Sequence, residues 1–171
     1  MTGGKIELPW RELSDYQCFG CSPANEQGLR LQFTRTEDQI ECMLRFTRVH
    51  ESYPGIVHGG LSTTACDEIM GNLLVLRTGL SVFTVSLRIR YVAPLTVGTA
   101  YRCVASTTAA AGDPGPYQAT ADILDARGQT VVFAGGSYQP ITAEQARTHM
   151  TLADHDAHLV EGTFADLRTV D

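Results

Sequence analysis

One stretch of this chain has the pattern of a long helix, and it limits what the rest can build. Residues 59–78, GGLSTTACDEIMGNLLVLRT, repeat apolar side chains at helical spacing and stop at Gly79. The other periodic segments alternate with period two. LRLQF (29–33) and IECMLRF (40–46) precede the helix, with Glu37, Asp38 and Gln39 as the turn between them. Four more follow it: VFTVSLRIRYV (82–92), AYRCVASTT (100–108), YQATADIL (117–124) and TVVFAGGSYQ (130–139), joined by turn chemistry such as GDPGPY and DARG. A single helix cannot supply the repeated crossovers of a parallel sheet. The expected architecture is α+β, a mainly antiparallel sheet packed on one central helix. Residues 1–28 are expected to be an arm with one short helical turn and a CFGC loop. Residues 29–140 form the domain. Residues 141–171 hold a short helix, opened by a Thr142–Gln145 capping box, and a polar tail.

Composition removes several classes of function. A chain of 171 residues can bury one real core. A net charge of −6 argues against nucleic acid as a partner. No apolar run approaches the ~20 residues of a membrane span, and MTGGKIELPW lacks the apolar region of a signal peptide. Five cysteines are an odd number and sparse, which points to a reducing cytoplasm rather than a disulfide scaffold.

Steps of 100° per residue, with Leu61 at zero, separate the acids of the helix. Leu61, Ala65, Ile69, Leu73, Val75 and Leu76 fall between about −40° and +120°, the face expected to meet the sheet. Glu68 falls inside this arc, at about −20°, with Asn72 one turn on. Burial there is expected to raise its pKa. Asp67 falls at about −120°, on a stripe with Gly60, Thr64 and Gly71. Small residues let another backbone approach, so the stripe is either a tight helix–sheet contact or a subunit interface with Asp67 projecting into it. Gly59 and Gly60 open the helix, where unpaired N–H groups can hold a developing oxyanion. Asp67 lies seven residues beyond Gly60, roughly 10 Å along the axis. That is too far for both to serve one carbonyl, whereas two antiparallel helices about a two-fold axis would bring them together.

The runs CFGCSPANEQGLRLQF, PGIVHGGLSTTACDEIMG and TVSLRIRYVAPLTVG, spanning about residues 18–140, resemble the hotdog-fold acyl-CoA thioesterases of the PaaI-like (phenylacetyl-CoA thioesterase-like) family, in its CFxC/HGG branch. The resemblance implies a sheet wrapped around the long helix, dimers with shared active sites, and pairing of dimers into tetramers. It implies hydrolysis of an apolar acyl thioester carried by coenzyme A or an acyl carrier protein. A backbone N–H of the HGG turn would polarise the carbonyl. Asp67, from the partner chain, would act as general base or nucleophile, and the hydroxyl of Thr84 would position water. Several members of the family carry Asn six residues before the HGG histidine, where this chain has Ser52.

Other residues carry patterns of their own. His58 is a candidate base, though a histidine before Gly-Gly more often fixes the turn. Arg88 and Arg90 share a strand face and are candidates for CoA phosphates against a solvated default. Cys18 and Cys21 form a lone CxxC, and Cys42, Cys66 and Cys103 are isolated in sequence, so no metal site is expected and the CFGC segment is expected to be a packed loop. His149, Asp154, His155, Asp156 and His158 are expected to form a solvated tail. No cofactor is expected beyond the coenzyme A of the substrate. Two other functions fit the fold: an acyl-thioester dehydratase or hydratase using His50 and Glu68, whose HESYPG…DEIMG segment is faintly similar, and a non-catalytic acyl-thioester binder.

Overall fold

The computed structural model describes residues 4–8, 10, 13, 15–36, 38–151 and 156. In chain order the elements are β1 (Phe33–Thr36), β2 (Gln39–Arg45), a 3-10 turn (Arg48–His50), β3 (Glu51–Tyr53), β4 (Ile56–Val57), α1 (Gly59–Thr78), β5 (Ser81–Tyr91), β6 (Ala100–Thr107), β7 (Tyr117–Leu124), β8 (Thr130–Ile141) and α2 (Ala143–His149). Six strands form one antiparallel sheet in the order β1-β2-β6-β7-β8-β5, and β3 and β4 form a small hairpin. The expected α+β architecture is the one found. Among the described residues no helix is long and apolar enough to cross a membrane.

The sheet curls around α1 on a floor of small side chains. Ala105, Ala119, Ala121 and Ala134 are all buried under the helix side of β6, β7 and β8. Small residues there let a helix lie close, and the larger Ile123, Val132 and Tyr138 close the ends. The opposite sheet face carries Arg102, Gln118 and Thr120, which are exposed, so the strands alternate as a one-sided sheet should.

Three expectations need correction. First, Leu29–Gln32 is not a strand. Arg30 takes φ 51°, and the segment pairs with the CFGC loop instead, through Leu29 N–H to the Phe19 carbonyl (2.7 Å) and Leu31 N–H to the Gly20 carbonyl (2.9 Å). Second, the helix is rotated. Its buried residues are Ser62, Ala65, Cys66, Ile69, Met70, Asn72, Leu73, Leu74, Val75 and Thr78, whereas Leu61 and Leu76 are half-buried. The sheet-facing direction, set by the buried residues from Ser62 to Leu74, lies near +110°, about 70° from the expected centre. Asp67 and Glu68 therefore both sit on the outer side of the helix, on opposite flanks. Third, Cys42, Cys66 and Cys103 are not isolated. They meet in the core, where Cys103 contacts both other thiols and is pushed well above the usual thiol range, first by those contacts and then by burial.

The arm packs on the domain. Lys5 bridges Thr34, Ile6 N–H donates to the Phe33 carbonyl (3.0 Å) and Leu8 is buried. One tight turn forms where Leu13 N–H meets the Trp10 carbonyl (3.1 Å). The capping box opening α2 is present: Gln145 N–H donates to Thr142 Oγ1 (3.2 Å), and Thr142 N–H to Gln145 Oε1 (3.0 Å). Of the residues expected to form the β1–β2 turn and the tail, Glu37, Asp154, His155 and His158 lie outside the described residues. His149 ends α2 with its ring edge-on to Phe83, at a centroid distance of 5.9 Å. Asp156 is buried rather than solvated.

Candidate active site

A cavity of about 720 Å³ lies over the outer side of α1. Asp67, Glu68 and Gly71 form its floor. Val82, Thr84 and Tyr138 of β5 and β8 form one wall, and Trp10, Tyr16 and Cys18 of the arm form the other. Asp156 also lines it. The angular separation of the two acids holds, but both open into this one space. The apolar content comes from Trp10, Leu13, Val75, Val82 and Met150. Ser81 Oγ is buried at its edge with no hydrogen-bond partner among the described residues.

Asp67 is held by two hydroxyls. Thr84 Oγ1 and Tyr138 OH each donate to Asp67 Oδ1 at 2.9 Å. Thr84 thus contacts the acid directly. Burial first, and then the Asp67 charge beside it, push the Tyr138 hydroxyl well above the usual phenol range, so it stays a proton donor. Tyr138 reaches Asp67 because Gly136 leaves room on the same face of β8. A Cβ on Gly136 would sit 2.5 Å from Tyr138 Cε2. No sequence pattern singled out Tyr138, which lies 71 residues from Asp67. Only the β5–β8 pairing, with Thr84 opposite Tyr138, brings the two donors to one carboxylate.

Glu68 lies on the other flank, against the CFGC loop. Asn72 Nδ2 donates to Glu68 Oε1 (2.9 Å), and Cys18 Sγ lies 3.4 Å from both carboxylate oxygens. Burial, followed by the Cys18 charge, raises its carboxyl to about 7. The expected shift is present, but the cause is the loop rather than the sheet. The close approach needs Gly20, where a Cβ would meet Glu68 Cδ at 2.4 Å. Cys18 is pulled down to about 5 by hydrogen bonds from Cys21 and from backbone N–H groups, against burial. Cys21 is pushed well up, first by its hydrogen bond to Cys18 and then by burial.

The helix start is a separate place. His58 is the N-cap of α1, its Nδ1 accepting the Gly60 N–H at 3.0 Å. That N–H is therefore engaged within the turn, and the Gly59 N–H makes no hydrogen bond among the described residues. Gly59 borders a second pocket of about 350 Å³ with Ser52, Tyr53 and Tyr91, and the Tyr91 hydroxyl donates to the Gly59 carbonyl (3.0 Å). The two pockets share no residue. Within one chain, then, Gly59 and Asp67 are not brought together.

Three further candidates lie away from both acids. Arg88 and Arg90 are exposed on β5 and border neither pocket. His50 is committed to its own turn, where Nδ1 accepts the Thr47 N–H at 2.9 Å and the ring packs edge-on to Phe46. It does not border the cavity that holds Glu68.

Residues 54–113 match the thioesterase superfamily model. No curated protein matches the sequence. Many solved structures share the fold. A thioesterase superfamily protein aligns at 23% identity with a TM-score of 0.63, covering 69% of this chain, which in turn spans 57% of that protein's length. A protein of Streptococcus mutans UA159, solved bound to acetyl CoA, aligns at 17% identity and TM-score 0.62 over 76% of this chain and 96% of its own. The PaaI protein of the E. coli phenylacetic acid degradation operon aligns at 15% identity and TM-score 0.60 over 67% and 81%. The chain is a hotdog-fold protein that resembles PaaI in structure and matches the thioesterase superfamily through the segment that carries its central helix.

Proposed function

We propose that this protein hydrolyses an acyl-CoA thioester with an apolar acyl group, as a PaaI-like thioesterase of the CFxC/HGG branch. One observation carries the reading: a carboxylate, Asp67, held by two hydroxyls at the floor of a largely apolar cavity large enough for a ligand. Asp67 takes a proton from water as the water oxygen adds to the carbonyl carbon and returns it to sulfur as the thiol departs, or it attacks that carbon itself, expelling the thiolate to give a short-lived anhydride that water then cleaves to the free acid and Asp67, with the thiolate taking its proton from that water. By either route the carbon–sulfur bond breaks and coenzyme A leaves as the thiol. The Gly59 N–H of the partner chain holds the oxyanion.

The shared site rests on two supports. Gly59 and Asp67 of one chain face separate pockets. In addition, the eleven-residue β5 is a sheet edge whose Phe83, Val85 and Tyr91 are exposed, the kind of edge that a second copy covers. We assign dimers of this kind, able to pair into tetramers. Arg88 and Arg90 on that edge are the groups offered to CoA phosphates, and Ser52 beside Gly59 is a minor orienting group.

A second reading, water addition to or loss from an acyl thioester, draws support from the raised carboxyl of Glu68. Thiol release from a panel of acyl-CoAs by wild type, Asp67→Asn and Glu68→Gln separates them. Hydrolysis lost only with Asp67→Asn supports the thioesterase. Full hydrolysis by Asp67→Asn refutes it. Hydration of an enoyl thioester lost with Glu68→Gln supports the second reading. Binding without turnover would leave a non-catalytic acyl-thioester binder.

A further inference from the structure

We infer that Cys18, Cys21 and Glu68 form a site for one thiophilic divalent cation of the Zn2+ class. The expectation of no metal rested on the lack of further donors near the CxxC. The fold supplies one from α1, fifty residues away from Cys18. One ligand atom from each of the three residues lies within 4.8 Å of the other two, and Cys18 Sγ is 3.4 Å from either Glu68 oxygen. Tetrahedral zinc, with bonds of about 2.3 Å to sulfur and 2.0 Å to oxygen, needs ligand atoms about 3.5–3.8 Å apart. The donors need move little to meet it.

The surroundings are those of a prepared site. Gly20 N–H donates to Cys18 Sγ (3.3 Å), the kind of bond that orients a thiolate ligand in a tight Cys-x-x-Cys turn. The loop is fixed by Leu29 and Leu31, which donate to its carbonyls. Asn72 Nδ2 donates to Glu68 Oε1 while its own Oδ1 accepts from Trp10 Nε1 (3.1 Å), so a chain of two side chains aims the carboxylate. The Tyr16 hydroxyl lies 3.0 Å from Cys21 Sγ. Among the described residues no Lys, Arg or His contact to the three donors is found, so one carboxylate and two thiols, half-buried at Cys18 and Glu68 and buried at Cys21, sit together without a cationic partner among those residues. Two thiolates select a soft or borderline metal, and three protein ligands leave a fourth position for water. Cys18 and Glu68 both border the large cavity, so that position opens toward it. The cation would fasten the CFGC loop to α1 and so set the shape of the cavity.

The test needs no turnover and therefore stands or falls apart from the hydrolysis reading. The full chain is purified under reducing conditions without chelator, its zinc content is measured by mass spectrometry, and the stripped protein is titrated with Co2+. The expected result is about one zinc per chain and a cobalt–thiolate charge-transfer band. Cys18→Ser should lose the band, Asn72→Ala should weaken Co2+ binding about 10- to 100-fold, and Cys103→Ser, a core thiol outside the cluster, should keep it. Wild type without zinc and without a thiolate band overturns the site, as does a Cys18–Cys21 disulfide in the reduced preparation or a band that survives Cys18→Ser. If the serine variant does not fold, the wild-type titration decides alone.

Discussion

Tyr138→Phe removes one atom from the candidate site and keeps the rest. The ring is 1% exposed and packs against Gly136, so phenylalanine retains its burial. What is lost is the 2.9 Å bond to Asp67 Oδ1. A hydrogen bond to a charged group contributes about 1.5–3 kcal/mol, which would correspond to about a 10- to 150-fold loss of rate if all of it acted on the reacting carboxylate. Thr84 still donates to the same oxygen at 2.9 Å, so the lower end applies, about 10-fold in kcat with KM little changed. Thr84→Val should behave similarly, and the double variant should lose more than either alone. The assay is steady-state thiol release from the best acyl-CoA of the panel. The control is the same substitution in an Asp67→Asn background, read on the residual thiol release that binding and the oxyanion N–H still support at high enzyme concentration, where Tyr138→Phe should have no further effect because the acid it positions is gone. A kcat within twofold of wild type, or an equal further loss in the Asp67→Asn background, refutes the positioning role.

Other predictions follow from single contacts. His58→Ala should cost about 1 kcal/mol by removing the cap on Gly60, seen as a fall of about 2–4 °C in Tm, while His58→Asn should keep both stability and activity. An inactive but stable His58→Asn would instead make His58 a base. Gly136→Ala should drive the added methyl into the Tyr138 ring and lower kcat at least as much as Tyr138→Phe, read in the same assay. The Glu68 carboxyl is raised from 4.5 to about 7 in the fold, so the protonated form is favoured there. In metal-stripped protein its contribution is therefore fully present below about pH 4.5 and is lost as pH rises through about 7, with an amplitude of roughly 3 kcal/mol. The Cys18 thiol, pulled down to about 5, contributes the opposite slope over the same range, so the Glu68 part is read as a difference: in urea unfolding between pH 4.5 and 8, wild type should lose stability relative to Glu68→Gln as pH rises. Val85→Lys, a charge on the open β5 edge, should give monomers by sedimentation and no hydrolysis.

The parts that could be read in advance depend on local chemistry. His58 and Gly59 start α1, Gly79 ends it in a left-handed conformation at φ 70°, and Thr142 and Gln145 cap α2. All three use only neighbours in sequence. The rotation of α1 was not legible because the helix is apolar on most sides. Leu61, Val75 and Leu76 pulled the expected face away from Cys66, Met70 and Leu74, and only the alanine floor of the sheet decides between them. The alternation in LRLQF suggested a strand because pattern carries no information about Arg30, whose positive φ turns the segment onto the CFGC loop. Tyr138 on Asp67 and the CFGC loop on Glu68 are contacts across 71 and 50 residues, set by strand pairing and loop docking rather than by spacing.

The central claim is that Asp67 of one chain works with the Gly59 turn of another, and subunit complementation tests it most directly. Gly59→Pro removes the N–H at the first helical position, where the fixed φ of proline suits a helix; because a Cβ there meets the Tyr91 hydroxyl at 3.1 Å, Gly59→Ala, which adds the same Cβ and keeps the N–H, is the control and should stay active. Asp67→Asn removes the acid. Gly59→Pro and Asp67→Asn alone should each lose all but residual activity. Unfolded together in equal amounts and reassembled, half of the dimers are mixed and each holds one intact site, so thiol release should recover to about a quarter of wild type. A mixture as inactive as its parents, with mixed dimers confirmed by native mass spectrometry, would contradict the shared site.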